Sequence, residues 1–405
     1  MKLSEELAWR GFINQTTIKD LSLLDGQPIS FYFGVDPSAD SMTIGNLASA
    51  MMVRHFIDAG HKAYLLVGGA TGIIGGDPDG KSEERKLKTI EEVNRNKAGI
   101  AAQYSTVFAG QDFTLVDNYD WFKDINYIDF LRTVGKNVPL SQMLGRDFVQ
   151  ARLGEDGSGI SYAEFSYSLI QGYDFLHLNR EHDVILQLCG ADQWGNSVAG
   201  VDLIRRLDGR EAHVYSTPLV INKSTGVKFG KSEDGAVWLD PAKTSVYKFY
   251  QFWLNTDDIG VIDYLKIYSL MSKDEIEAIA ARQAANPSAR EAQKALAVAV
   301  TDLVHGTARR ESVERVTGVL FGGSSFGDLN NDDIEALAAE IPTVSVGKTI
   351  IESLVEAGFA SSNGEARRLI ESGAVSINGD KVSTDQTIES RSLVKKGKNS
   401  FILIK

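Results

Sequence analysis

Lys228-Phe229-Gly230-Lys231-Ser232 sets two ammonium groups three positions apart around a glycine. Lysine is a compact, mobile point charge, so such a loop can swing both groups onto a polyphosphate. Lys-rich turns are often only solvated, and this one gains meaning from a second stretch far upstream, Asp36-Pro37-Ser38-Ala39-Asp40-Ser41-Met42-Thr43-Ile44-Gly45-Asn46. There Asp36-Pro37 closes a strand and a helix begins near Thr43. Backbone N–H groups at a helix start favour phosphate. Gly45, having no Cβ, lets a nucleotide come close. The bland alternative is a strand-to-helix turn with a packing glycine.

A third group lies between Ser161 and Leu178. Ser161 and Glu164 have capping-box spacing, so a helix starts there. Tyr167, Gln171 and Asp174 follow at i, i+4 and i+7 and share one face, able either to hold a small polar molecule or to meet water. Leu169, Ile170, Phe175 and Leu176 then make the buried side. The glycine-rich run Gly68 to Asp77 does not follow G-x-G-x-x-G at its first two glycines, which weakens a nicotinamide-dinucleotide reading.

These groups need a scaffold. Ser30 to Val35 reads as a strand, about Thr43 to Ala59 as a helix stopped by Gly60, Ala63 to Val67 as a buried strand, and Asp183 to Leu188 as another. A helix ending near Gly209 follows. Strands separated by helices imply a parallel sheet covered on both faces, with ligands beyond the carboxyl ends of the strands. Asp36, Gly68-Gly69 and Gly190-Ala191-Asp192-Gln193 fall at those ends. From about Asp240 the chain turns helical. Tyr247, Phe249, Tyr250, Phe252 and Trp253 read as core packing rather than a base-stacking platform. The polar run from Gly322 to Pro342 resembles a connector.

The gross composition narrows the classes. The 405 residues carry a formal net charge of −12, which excludes nucleic-acid binding spread over the whole surface but not a local basic patch. Residues 346–405 hold nine basic and seven acidic side chains, the sign expected of a segment that touches RNA. The single cysteine, Cys189, cannot form an intramolecular disulfide and suits a reducing cytoplasm. The six histidines show no zinc-ligand spacing, so no metal site is expected. No apolar run approaches the ~20 residues of a membrane span, and the start of the chain lacks the apolar stretch of a signal peptide.

Taken in order, four blocks resemble the bacterial tyrosyl-tRNA synthetases, which are class I aminoacyl-tRNA synthetases: Phe33 to Ser41, Val67 to Pro78, Gly190 to Asn196, and Lys228 to Ser232. A fifth, Glu365-Ala366-Arg367-Arg368-Leu369-Ile370 with Gly373-Ala374-Val375 and Ile377-Asn378-Gly379, resembles the S4 RNA-binding module. The resemblance implies an α/β architecture. A Rossmann-like catalytic domain with an insertion (1–235) is followed by a helical anticodon-arm domain (236–330), a linker (331–347) and an S4-like α+β module (348–405). It also implies a cytoplasmic homodimer acting on L-tyrosine, ATP and tRNA(Tyr), with Mg²⁺ accompanying ATP, no tightly bound cofactor, and neither membrane nor DNA as partner.

Site roles follow from the same resemblance. Tyr32 and Asp174 face the substrate phenol. Asp77, Tyr167 and Gln171 hold the ammonium. Asp36, Asp192 and Gln193 contact the amino acid and the adenylate ribose, and Ser38, Gly45 and Gly190 belong to the ATP side. Lys228, Lys231 and Ser232 meet the pyrophosphate. Arg367, Arg368, Lys395, Lys396 and Lys398 are candidate RNA contacts. The chain departs from the family at Thr43-Ile44-Gly45-Asn46, where His-Ile-Gly-His is usual: Asn46 keeps an N–H donor, Thr43 only a short hydroxyl. Either the first step is slow or Lys228, Lys231 and Ser38 compensate. Competing readings are a tryptophanyl enzyme, a catalytically weakened RNA-binding relative, and a nicotinamide dehydrogenase.

Overall fold

The computed structural model describes residues 1–77, 86–145, 147–153, 159–232 and 235–405. It divides into two compact units. One comprises Met1–Thr244 and Phe252–Val304, the other Ser245–Gln251 and His305–Lys405. The boundary expected at 235/236 therefore falls within the first unit, and that at 330/331 within the second.

The first unit is built on a six-stranded sheet. Its strands are β1 (Gln15–Thr16), β2 (Ser30–Val35), β3 (Lys62–Val67), β4 (Phe113–Val116), β5 (Val184–Gly190) and β6 (His213–Thr217), in the order β1-β6-β5-β2-β3-β4. All neighbours pair parallel except the edge pair β1 and β6. Parallel strands covered on both faces read as nearly unbroken apolar runs, and Ala63 to Val67 are all buried. The main helices are α1 (Ile44–Asp58), α2 (Ile90–Val107), α3 (Tyr162–His182) and α4 (Trp194–Asp208). α1 starts at N-cap Thr43 and packs Leu47, Met51 and Phe56 inward.

α3 carries the capping box read from Ser161 and Glu164. It is buried on more than the expected side. Leu169, Phe175 and Leu176 are buried, but so are Tyr167 and Asp174 on the polar face. Phe175 and Leu176 join Tyr32, Tyr64, Leu203 and Val184 in one apolar cluster.

The second unit holds α5 (Asn331–Ala338), α6 (Ile350–Glu356) and α7 (Asn363–Glu371). Its sheet is made of β9 (Thr343–Val344), β10 (Val375–Ile377), β11 (Asp380–Lys381), β12 (Ser392–Lys396) and β13 (Ser400–Ile404), in the order β11-β10-β12-β13-β9. The intervening short pair β7 (Lys231–Ser232) and β8 (Gly235–Ala236) belongs to the first unit. The expected linker 331–347 is instead structured. Asn330 caps α5 by accepting from the Asp333 N–H at 3.0 Å, and Arg315 grips the fully buried Asp333 carboxylate at 2.8 and 2.9 Å. Ile334 and Leu337 enter the core, and β9 pairs parallel with β13. The Asn-Asn-Asp-Asp run is a helix-start signal there, not spacer chemistry. Phe249, Tyr250 and Trp253 are buried, as packing residues should be.

Candidate active site

From β2 the chain adds β3 and β4 on one side and then crosses to place β5 on the other, so the strand order reverses between β2 and β5. Connections diverge at such a point and open a crevice at the carboxyl ends. The crevice here is a cleft of about 390 Å³. Strand β2 delivers Tyr32 and Asp36, β5 delivers Gln187 and Gly190, and α3 delivers Tyr167, Gln171 and Asp174. Ser38, Thr43, Gly45, Asn46, Asp77, Asp192, Gln193 and Lys228 also line it. Sequence positions up to two hundred residues apart therefore meet in one space.

The inner end is nearly closed. Tyr32 and Asp174 are 2% and 3% exposed. Asp174 accepts from Trp121 Nε1 at 2.9 Å and Asn118 Nδ2 at 3.2 Å. Burial pushes its carboxyl well above the usual range, and those two hydrogen bonds oppose the shift. Burial, then the Asp174 charge, raises the Tyr32 phenol. Among the described residues Tyr32 Oη has no hydrogen-bond partner, nor have Gln171 Oε1 and Gln187 Oε1. Buried polar atoms are normally satisfied. Three orphans lining one cleft point to a polar molecule that completes them.

The middle is a chain of polar contacts. Tyr167 Oη and the Asp77 backbone N–H both donate to Asp36 Oδ2, at 2.8 Å each. Gln193 Nε2 donates to the Asp77 carboxylate, and Asn196 Nδ2 donates to Gln193 Oε1 at 3.2 Å. Burial and the Asp36 charge push the Tyr167 phenol up. Four carboxylates, those of Asp36, Asp77, Asp174 and Asp192, line the cleft. Such a wall favours a cation such as an α-ammonium group.

The outer end gathers the phosphate-type residues. A Cβ on Gly45 would meet only Thr43 Oγ1, at 3.5 Å, so the protein does not need glycine there for its own packing. The loop carrying Lys228 is fastened to the same helix start. Ile44 N–H donates to Val237 O at 3.0 Å, Val237 N–H to Gly230 O at 3.0 Å, and Leu239 N–H to Met42 O at 2.9 Å. Phe229 stacks on Tyr264 with ring centroids 4.2 Å apart. Gly230 has φ +97°, and a Cβ there would lie 2.7 Å from Ile44 Cγ1, so the loop crosses the first turn of α1 closely. The side chains of Lys231 and Ser232 lie outside the described residues.

The glycines after β3 serve packing. A Cβ on Gly69 would fall 2.4 Å from Asp117 Oδ1, and one on Gly72 2.7 Å from Pro37 Cγ. Neither faces a dinucleotide, which removes the basis for the dehydrogenase reading. Sequence reasoning missed Gln187, Asn118 and Trp121. Gln187 had a signal, a polar residue inside the apolar run Val184 to Leu188. Asn118 and Trp121 had none, because only their contact with Asp174 distinguishes them.

In the second unit Arg367, Arg368 and Lys398 are exposed. Lys396 is committed internally, donating to Phe359 O at 2.6 Å, and Lys395 lies over the Phe401 ring at 5.1 Å.

Residues 24–322 match the family described as tRNA synthetases class I (W and Y). Residues 333–405 match the tyrosine–tRNA ligase SYY-like C-terminal domain. Tyrosine–tRNA ligase 2 of Bacillus cereus is 44% identical, over 100% of this chain and 99% of that protein. The chain belongs to the bacterial tyrosyl-tRNA synthetases. Tyrosine–tRNA ligase 1 of Enterococcus faecalis, another synthetase of this family, is 43% identical over 100% of this chain and 99% of its own length. A solved C-terminally truncated mitochondrial tyrosyl-tRNA synthetase from Aspergillus nidulans superposes with a TM-score of 0.69 at 29% identity, covering 77% of this chain and 92% of that one. The second family match begins at residue 333, inside the stretch expected as a linker and within the capped helix α5.

Proposed function

We propose that this synthetase activates L-tyrosine with ATP and transfers it to tRNA(Tyr). The observation that carries the reading is the pairing of Tyr32 Oη, buried and without a partner, with Asp174 at the closed end of the cleft. A phenol inserted there gives Tyr32 Oη a partner and adds a donor to Asp174, which Asn118 and Trp121 already hold in place. A phenyl ring leaves the Tyr32 hydroxyl dry and unpaired, which costs about 1–3 kcal/mol. An indole has its N–H elsewhere on the ring.

The substrate lies with its phenol at the closed end and its ammonium against Asp77, Tyr167 and Gln171. Its carboxylate then points toward the outer end, where Mg·ATP binds as the second substrate. A carboxylate oxygen attacks the α-phosphorus, and the bond from that phosphorus to the bridging oxygen breaks. Tyrosyl-adenylate and pyrophosphate result. Lys228 and Lys231 neutralise charge on the departing pyrophosphate, with Ser232 as a further donor. The remaining work is positioning. A terminal ribose hydroxyl of tRNA(Tyr) then attacks the tyrosyl carbonyl carbon and displaces AMP.

No helix among the described residues is long and apolar enough to cross a membrane. We assign the enzyme to the cytoplasm, as a homodimer, with Arg367, Arg368 and Lys398 as RNA phosphate contacts. Pyrophosphate exchange measured with each of the twenty amino acids tests the reading. Tyrosine alone should drive exchange. Exchange driven by tryptophan, or by nothing, would refute it.

A further inference from the structure

The residues at 43 and 46 are not two weakened histidines acting separately. We propose that Thr43 is a positioning residue that fixes the orientation of the Asn46 amide, so that Asn46 Nδ2 serves as the phosphate donor at the start of α1. The inference rests on the reading of the outer cleft as the ATP site.

The geometry is specific about which end of the amide faces where. The Thr43 backbone N–H donates to Asn46 Oδ1 at 3.0 Å. The Thr43 hydroxyl donates to the same oxygen at 3.0 Å. An asparagine side chain can usually be turned over without changing its shape. Here it cannot, because a backbone N–H is only ever a donor and demands an oxygen opposite it. The amide oxygen is therefore turned back on Thr43. Among the described residues the Nδ2 group has no partner, and it sits on an exposed residue that lines the cleft.

Thr43 is itself held. Its backbone bridges to Trp238 in antiparallel fashion, and the next residue, Ile44, donates to Val237 O at 3.0 Å. Val237 in turn donates to the Gly230 carbonyl of the loop that carries Lys228, at 3.0 Å. Thr43 thus couples the Asn46 amide to the loop that carries Lys228. A histidine pair would offer two long donors. This chain offers one short donor with its direction set by a neighbour, which is preorganisation rather than reach.

A double-mutant cycle in adenylate formation, measured by pre-steady-state kinetics on the full chain, tests the coupling. Thr43→Val removes the hydroxyl and keeps the shape, and should lower the rate about fivefold, the size of one net hydrogen bond. Thr43→Ser should recover most of that loss. Asn46→Ala should cost at least as much as Thr43→Val. In the Asn46→Ala background Thr43→Val should cost nothing further, because the amide it orients is gone. KM for tyrosine should be unchanged throughout. Additive losses in the double variant, no loss in Thr43→Val, or a parallel rise in KM for tyrosine would each overturn the positioning role. The functional reading fails separately, and takes this inference with it, when the native chain forms no tyrosyl-adenylate.

Discussion

Replacing Tyr32 by Phe isolates one oxygen at the closed end of the cleft. That oxygen has no partner among the described residues. Its ring packs on Phe175 with centroids 5.3 Å apart, and this contact survives the change. Folding therefore loses no hydrogen bond and sheds a buried polar atom, so Tm should hold or rise slightly. Tyrosine loses one net hydrogen bond, about 1 kcal/mol. Phenylalanine, in contrast, no longer strands a buried hydroxyl, a penalty of about 1–3 kcal/mol. The two effects act in opposite directions on the two substrates. Their kcat/KM ratio should fall by about 2–4 kcal/mol, or roughly 30- to 900-fold. Pyrophosphate exchange with each amino acid, alongside thermal unfolding, measures both quantities. The reasoning is wrong if kcat/KM falls equally for the two substrates, or if Tm drops by several degrees. Either result would mean that Tyr32 Oη serves the fold rather than the phenol.

Further outcomes follow from the same geometry. Gly45→Ala should leave stability unchanged or slightly raised, since its Cβ meets only Thr43 Oγ1, while raising KM for ATP. Gly69→Ala should do the reverse and lower Tm, because its Cβ would fall 2.4 Å from Asp117 Oδ1; a neutral Tm would contradict the packing role. Lys228→Ala should slow adenylate formation by about 100- to 1,000-fold with KM for tyrosine little changed, as expected for a donor to developing phosphate charge. His55 is buried, and burial, then the charges of Arg10 and Arg54, push its pKa down to about 3. It is neutral in the fold, so its contact with Glu6 is not an ion pair at neutral pH. The unfolded chain takes up this proton first, near pH 6.5, so stability should decline as pH falls from about 6.5 to 3. The limit is about 5 kcal/mol from this residue. Denaturant titrations across that range should show a shallower decline in His55→Gln; an unchanged slope would remove His55 from the account.

Short-range physics was legible in the chain. The alternation of apolar strands with capped helices indicated the parallel sheet, because apolar runs and N-cap residues act over a few positions. The same logic applied at Asn330 would have replaced the linker by a helix. There the polar run masked a cap whose value depends on Arg315, fifteen residues upstream. Family-specific blocks pointed to Tyr32, Asp36, Tyr167, Gln171, Asp174 and Lys228, and these do line one cleft. Which polar residues are buried could not be read in advance. Tyr167 and Asp174 share a helix face that water could equally have covered. Asn118 and Trp121 matter only through their contacts with Asp174 on α3. Burial and orphaned hydrogen-bonding atoms are properties of several segments meeting at once, so tertiary structure alone decides them. The reversal of strand order between β2 and β5 belongs to the same class. It turns scattered carboxylates, phenols and a lysine into one cleft, and the orientation of the Asn46 amide against Thr43 is set only there.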